Sequence, residues 1–227
     1  MSCFIESHGG PSGAVKGRSG PEKRVGALVL AALAALFATP LFAQTTDVDR
    51  LITDSCATCH TQTGNSLAPP FPKLAGLSAE YLAKQLRDVR SGARKSEIMQ
   101  PILGDLSRGE IQAIANYFSR QQRTPGIVTN PKLIAAGERV YLEGNKENGV
   151  PACAGCHTKT GAGAPRFPMI AAQNAEYVIQ QLRNFRSGER TNDFGMLMRT
   201  TVSRLTDDEI QAVAQYVASM PVPPVGR

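Results

Sequence analysis

The 227-residue sequence has no tryptophan, and aromatic residues make up only 6% of it. It has three histidines, His8, His60 and His157. So few leave no room for a histidine-based catalytic constellation beside any metal site. No apolar run reaches the ~20 residues that span a bilayer; the run Val25–Ala38 has 14. No stretch keeps the alternation of a strand. The 25 basic residues outnumber the 19 acidic ones but are scattered, so the positive balance is no evidence for nucleic-acid binding.

The short apolar run has a different use. Lys16, Arg18, Lys23 and Arg24 precede it, and Leu-Phe-Ala at 41–43 follows. A positive segment, an apolar run and small residues make an export signal, with cleavage expected after Ala43. Residues 1–43 are therefore a signal peptide rather than fold, and the mature chain is expected in the periplasm. Four of the basic and two of the acidic residues lie in this leader, leaving 21 against 17.

The rest is a duplication. Cys-Ala-Thr-Cys-His at 56–60 matches Cys-Ala-Gly-Cys-His at 153–157. Ala-Pro-Pro-Phe-Pro at 68–72 matches Ala-Pro-Arg-Phe-Pro at 164–168. The segments 79–92 and 175–188, and 110–117 and 209–216, match in the same order. Two domains follow, 44–123 and 131–227, with Thr124-Pro125-Gly126 opening a linker over 124–130. The fold class is all-α. Each repeat predicts three helices: 47–58, 79–91 and 108–121 in the first, 131–144, 175–187 and 207–219 in the second. Ser78 and Asn174 stand at N-cap positions, with Gly92 and Gly188 as stops. Ser107 with Glu110, and Thr206 with Glu209, read as capping boxes. The last helices carry apolar faces at Ile111, Ile114, Ala115 and Phe118, and at Ile210, Val213, Ala214 and Val217. Three short helices make a thin core, which a large apolar cofactor would complete.

Cys3 lies in the leader. The other four cysteines, Cys56, Cys59, Cys153 and Cys156, form two Cys-x-x-Cys pairs. A histidine directly after each pair makes the covalent haem c attachment signal. Two sulfurs three residues apart can reach both vinyl groups of one porphyrin, and the adjacent imidazole meets the iron from the same face. His60 and His157 are the expected proximal ligands, one for each of two haem c groups. A thioredoxin-like pair needs a strand–helix context not seen here. Four-cysteine zinc binding would need both pairs to converge and leaves the histidines unexplained. Two tight disulfides would leave them unexplained as well.

With both mature histidines used, bis-histidine ligation is excluded, and methionine is the remaining soft ligand. The first repeat offers only Met99, eight residues before Ser107. In the second, Met198 lies eight residues before Thr206, Met196 ten before, and Met169 only 12 after His157. The repeat match favours Met198 over Met196. A ligating histidine donates its second N–H to an outer acceptor, and the carbonyls of Pro69 and Pro165 are candidates. Arg87, Arg90, Arg94, Arg183, Arg186 and Arg190 form a stripe that reads either as a solvated face or as a cradle for haem propionates.

These elements resemble the dihaem cytochromes c of the cytochrome c-four family: two Cys-x-x-Cys-His domains, each with Phe-Pro (71–72, 167–168), a Tyr-x-x-x-Gln-Leu helix (81–86, 177–182) and a methionine before the last helix. The resemblance covers 47–219. It implies two class I cytochrome c folds packed together and a periplasmic electron carrier, not an enzyme, that works between a membrane quinol-oxidising complex and a terminal oxidase. Peripheral association with the membrane is compatible with that role. An electron-accepting subunit of a periplasmic dehydrogenase is the alternative. The Ala172-Gln173 pair, where the first repeat has Gly76-Leu77, reads as a minor difference.

Overall fold

The computed structural model describes residues 43–223. The leader, and with it the expected cleavage site, lies outside the described residues apart from Ala43. Residues 44–223 pack as one compact unit. Among the described residues there is no strand, only the isolated bridges Asn145–Val150 and Ala164–Phe167.

In the first repeat, α1 (Ala43–Leu51) runs through a π-helical turn at Ile52–Cys56 into α2 (Ala57–His60). Then come α3 (Ala79–Arg90), α4 (Met99–Leu103) and α5 (Arg108–Ser119). In the second, a 3₁₀ turn (Pro131–Leu133) leads into α6 (Ile134–Glu143), followed by α7 (Ala154–His157) and α8 (Ala175–Ser187). A further 3₁₀ turn (Phe194–Met196), α9 (Leu197–Val202) and α10 (Asp207–Ser219) complete it. The short helices α4 and α9, absent from the periodicity reading, carry Met99 and Met198.

Both capping boxes form. Each fixes the start of a last helix by satisfying two otherwise unpaired backbone donors. Ser78 caps α3 by accepting from the Tyr81 N–H. Asn174 holds the equivalent position without capping α8; its side chain is used elsewhere. Gly188 ends α8 in the left-handed conformation, whereas α3 ends at Ser91 with Gly92 one residue beyond.

The first core gathers Ile52, Leu77, Leu82, Ile111, Ile114 and Phe118. The second gathers Ile179, Phe185, Val202, Leu205 and Ile210 beside a layer of Tyr141, Val213, Val217 and Met220. All eight predicted apolar positions of the last helices are buried. Gly137 lets α6 cross α10 closely: a Cβ there would sit 2.0 Å from the Ala212 carbonyl oxygen.

The segment read as a linker is a pinned strap. At its start, the Asn65 side chain accepts from Thr124 N at 2.8 Å and donates to the Gln122 carbonyl at 2.9 Å. Further on, Ile127 N donates to Asn174 Oδ1, and Thr129 N and Asn130 N both donate to Gln215 Oε1. Its Gly126 passes so close to the second repeat that a Cβ would lie 2.6 Å from the Ala218 oxygen.

Candidate haem-binding sites

Helix spacing sets the site. Cys56 and His60, like Cys153 and His157, are four residues apart at the end of one helical segment and so share a face. The four thiols are free. Burial pushes the Cys56 and Cys153 thiols up to about 11. They are therefore neutral thiols rather than the low-pKa thiolates of a redox-active pair. No cluster of three or more His, Cys, Asp or Glu among the described residues could hold a zinc ion.

Both imidazoles are buried. His60 Nδ1 lies 3.0 Å from the Pro72 carbonyl oxygen, and His157 Nδ1 lies 2.9 Å from that of Pro168. A carbonyl only accepts, so Nδ1 carries the hydrogen and Nε2 keeps its lone pair. Burial lowers both pKa values, against the opposing effect of those hydrogen bonds, which keeps the rings neutral and fit for a metal.

The acceptors are Pro72 and Pro168, not the expected Pro69 and Pro165. The reason is a turn: Phe71 N donates to the Ala68 carbonyl and Phe167 N to that of Ala164. Pro69 and Pro165 are consumed inside the turn, and the chain reverses before the next proline passes the ring. Phe71 and Phe167 follow the same reversal and pack edge-on to their histidines, with ring centroids 6.2 Å apart in both.

Directly after each histidine the backbone is strained. Thr61 (φ 60°, ψ 164°) and Thr158 (φ 67°, ψ 162°) occupy a region that is essentially glycine's own. Its recurrence in both repeats marks it as part of the site.

Met99 opens α4 and is half-buried. Met198 is half-buried against the second core. Met196 sits in a left-handed conformation with 54% of its surface exposed. Asp193 fastens this segment: it accepts from Arg199 N at 3.0 Å and Arg199 Nε at 2.7 Å.

The residues fit a haem on observations independent of the motif. Among the described residues, six of the seven large apolar side chains left exposed — Leu67, Ile98, Ile102, Phe194, Met196 and Leu197 — belong to the loop after His60 or to the two methionine segments. A flat apolar group seated there would cover them. Each Nε2 also lacks a hydrogen-bond partner among the described residues.

The arginine stripe divides by position. Arg90 and Arg186 tie the end of each middle helix to the Leu106 and Leu205 carbonyls, and Arg186 and Arg183 also approach Asp207. Arg87 is exposed. Arg94 and Arg190 instead meet at the seam between the repeats in a pseudo-two-fold network. Arg94 donates to Gln85 of its own repeat and to Tyr177 and Gln181 of the other, at 2.9–3.0 Å. Arg190 donates to Gln181 at 2.9 Å, and across the seam to Tyr81 at 3.3 Å and Gln85 at 2.9 Å. Burial pushes the Tyr177 phenol up, but the two guanidiniums outweigh it and hold its pKa below the usual value.

A second group crosses the seam, and the sequence reading missed it. Arg123 donates to the carbonyls of Ala75, Lys73 and Ala171 at 2.8–3.2 Å. Gln173, far from minor, accepts from Lys73 N at 2.8 Å and donates to Lys73 O at 2.9 Å. Asn174 Nδ2 donates to the Phe71 carbonyl at 3.1 Å; its Oδ1, the atom that would cap its own helix, accepts instead from Ile127 N at 3.2 Å.

A fold of two helical repeats, each with a neutral buried histidine and two free thiols on one helical face, defines a c-type cytochrome with two attachment sites. The family described as Cytochrome c matches residues 134–221, and that described as cytochrome c oxidase, cbb3-type, subunit III matches residues 43–118. Cytochrome c4 of Thiocapsa roseopersicina is 43% identical over 168 residues, covering 73% of this chain and 86% of that protein. The reduced recombinant cytochrome c4 of Pseudomonas stutzeri superposes with a TM-score of 0.73 at 37% identity, covering 78% of this chain and 98% of that one. The thiosulfate dehydrogenase electron acceptor of Stutzerimonas stutzeri is 41% identical over 73% of this chain and 79% of its own length. The chain belongs to the cytochrome c4 family, the c-four family of the sequence resemblance. It is a dihaem electron carrier of two cytochrome c domains with covalently bound haem c, and not an enzyme.

Proposed function

We propose that this chain is a periplasmic single-electron carrier whose domains, 44–123 and 131–227, each attach one haem through Cys56 and Cys59, or Cys153 and Cys156. His60 with Met99, and His157 with Met198, would hold the two irons. A bound haem iron would supply the one-electron chemistry between the ferrous and ferric states. The protein supplies the rest. The Pro72 and Pro168 carbonyls fix the tautomer and orientation of each imidazole. The apolar segments around each methionine would exclude water from a haem seated against them, and Arg94 and Arg190 place positive charge at the seam, suited to haem propionates. A haem iron held by both a histidine and a methionine would keep no open site for a substrate.

The observation that carries this reading is the repeated Nδ1–H···O=C bond with a free Nε2, beside two free thiols in each domain. Residues 1–43 fit an export leader removed after Ala43. Among the described residues no helix is long and apolar enough to cross a membrane. Partners follow the family resemblance: a quinol-oxidising complex as donor and a terminal oxidase as acceptor.

Likeness to the thiosulfate dehydrogenase electron acceptors supports a second reading, an electron-accepting partner of a periplasmic dehydrogenase. Co-purification with a flavin- or quinone-bearing enzyme favours it, and a stable monomer favours the mobile carrier. The primary test is a pyridine haemochrome assay with intact mass, on protein exported from a host with haem c maturation machinery. Two haems and a mass starting at Gln44 are expected. Zinc in place of haem overturns the assignment.

A further inference from the structure

The peptide group between Pro72 and Lys73 has two ends, and both are engaged. Its carbonyl accepts the His60 Nδ1–H at 3.0 Å, and its N–H donates to Gln173 Oε1 at 2.8 Å. The first contact lies within the first domain. The second comes from the other domain, 100 residues further along the chain. Gln173 is itself held, with Oε1 also accepting from Asn174 N and Nε2 donating to the Lys73 carbonyl. It and Lys73 are buried, so water does not compete.

We infer that Gln173 is a positioning residue by which the second domain sets the reduction potential of the first haem. Hydrogen bonds in a chain polarise one another. An amide whose N–H is bonded presents a stronger acceptor at its carbonyl. A stronger acceptor draws the Nδ1 hydrogen of His60 and raises the basicity of Nε2. A more basic proximal ligand favours the ferric state and lowers the potential.

The arrangement is one-sided. The residue matching Gln173 in the first repeat is Leu77, which cannot accept a hydrogen bond. In the second domain the Pro168 carbonyl accepts from His157 in the same way, but Met169 N, on the same peptide, makes no hydrogen bond among the described residues. The two proximal histidines thus have matching acceptors of unequal strength, and the difference lies in one side chain.

The inference rests on His60 being a proximal ligand, and the test separates the two claims. The haem-loaded protein is titrated potentiometrically while the histidine Nδ1–H resonances of both domains are followed by NMR, which assigns each potential to its domain. If the wild-type His60 resonance does not respond to reduction of any haem, the ligand reading fails before any variant is made. Given that response, Gln173→Leu is expected to raise the first potential and shift the His60 Nδ1–H upfield, leaving His157 and the second potential unchanged. Gln173→Glu, which keeps and strengthens the acceptor, is expected to lower the first potential instead. A Gln173→Leu protein with an unmoved His60 resonance overturns the inference. So do variants in which both potentials move together or shift in the same direction for Leu and Glu, the pattern of a merely structural contact.

Discussion

Replacing Arg123 with methionine should cost the folded protein roughly 2–5 kcal/mol. The side chain is 3% exposed and donates to three carbonyls, at 2.8 Å to Ala75, 3.0 Å to Ala171 and 3.2 Å to Lys73. Hydrogen bonds from a charged donor are worth about 1.5–3 kcal/mol each. Against them stands the burial of the guanidinium, which pushes its pKa from 12.5 down to about 10; at ~1.4 kcal/mol per unit that is a cost of about 3 kcal/mol. Methionine removes both contributions and leaves the buried Ala75 and Ala171 carbonyls unpaired, while the Lys73 carbonyl keeps its bond from Gln173 Nε2. For a protein of this length the loss corresponds to a fall in Tm of roughly 4–20 °C. Because two of the acceptors lie in the first domain and one in the second, a single cooperative transition of the haem-loaded wild type should split in two. Thermal unfolding followed by far-UV circular dichroism reads both effects. Arg123→Lys should not rescue, since a point charge cannot serve three carbonyls in a fixed fork. A methionine variant within ~0.5 kcal/mol of wild type that still unfolds in one step would refute the reasoning.

Further expectations concern the two sites. Met198→Ala should abolish the sulfur-to-iron charge-transfer absorption of one haem and lower that haem's potential, whereas Met196→Ala should leave both intact; the opposite pattern would make Met196 the ligand. The Asp193 carboxylate is desolvated, yet its bonds to Arg199 hold its pKa below the usual range. Its contribution is therefore complete above about pH 4 and is lost as pH falls through the lower folded value. The second domain's charge-transfer absorption should fade in that acid range and should already be weakened at neutral pH in Asp193→Asn; identical acid profiles for wild type and variant would exclude this role. Thr158→Gly relieves ~1–3 kcal/mol of backbone strain at a glycine entropy cost of ~0.5–1 kcal/mol, so chemical denaturation should show a gain of about 1 kcal/mol. Thr61→Gly should gain less, because Thr61 Oγ1 also accepts from Asn65 N at 3.2 Å; equal gains would contradict that accounting.

What sequence could reveal depended on how local the cause was. The capping boxes at Ser107 and Thr206 and the buried faces of the last helices were legible because each reflects contacts within one repeat at fixed spacing. The histidine that closes each Cys-x-x-Cys-His segment, buried at a helix end in both repeats, was legible for the same reason. The choice between Pro69 and Pro72 was not, because it turns on a chain reversal at Ala68–Phe71 that shifts the accepting carbonyl by three residues. Asn174 reads as a cap from its position, yet its Oδ1 is taken by Ile127 N of the strap while its Nδ2 reaches the Phe71 carbonyl of the first domain. Gln173, Arg123 and the pinned strap depend on how two repeats dock, and no periodicity within either repeat encodes that. One signal was present: where otherwise matching repeats differ, as Leu77 and Gln173 do, the difference marks a surface that duplication made unequal.

The strap between the domains, held by Asn65 at one end and by Asn174 and Gln215 at the other, bears on kinetics. A slack tether would let the halves tumble separately, and electron exchange between them would slow in a viscous medium. Here the distance between the two halves is set by the fold. Internal exchange should be indifferent to added glycerol or sucrose, and only encounters with outside molecules should respond to viscosity.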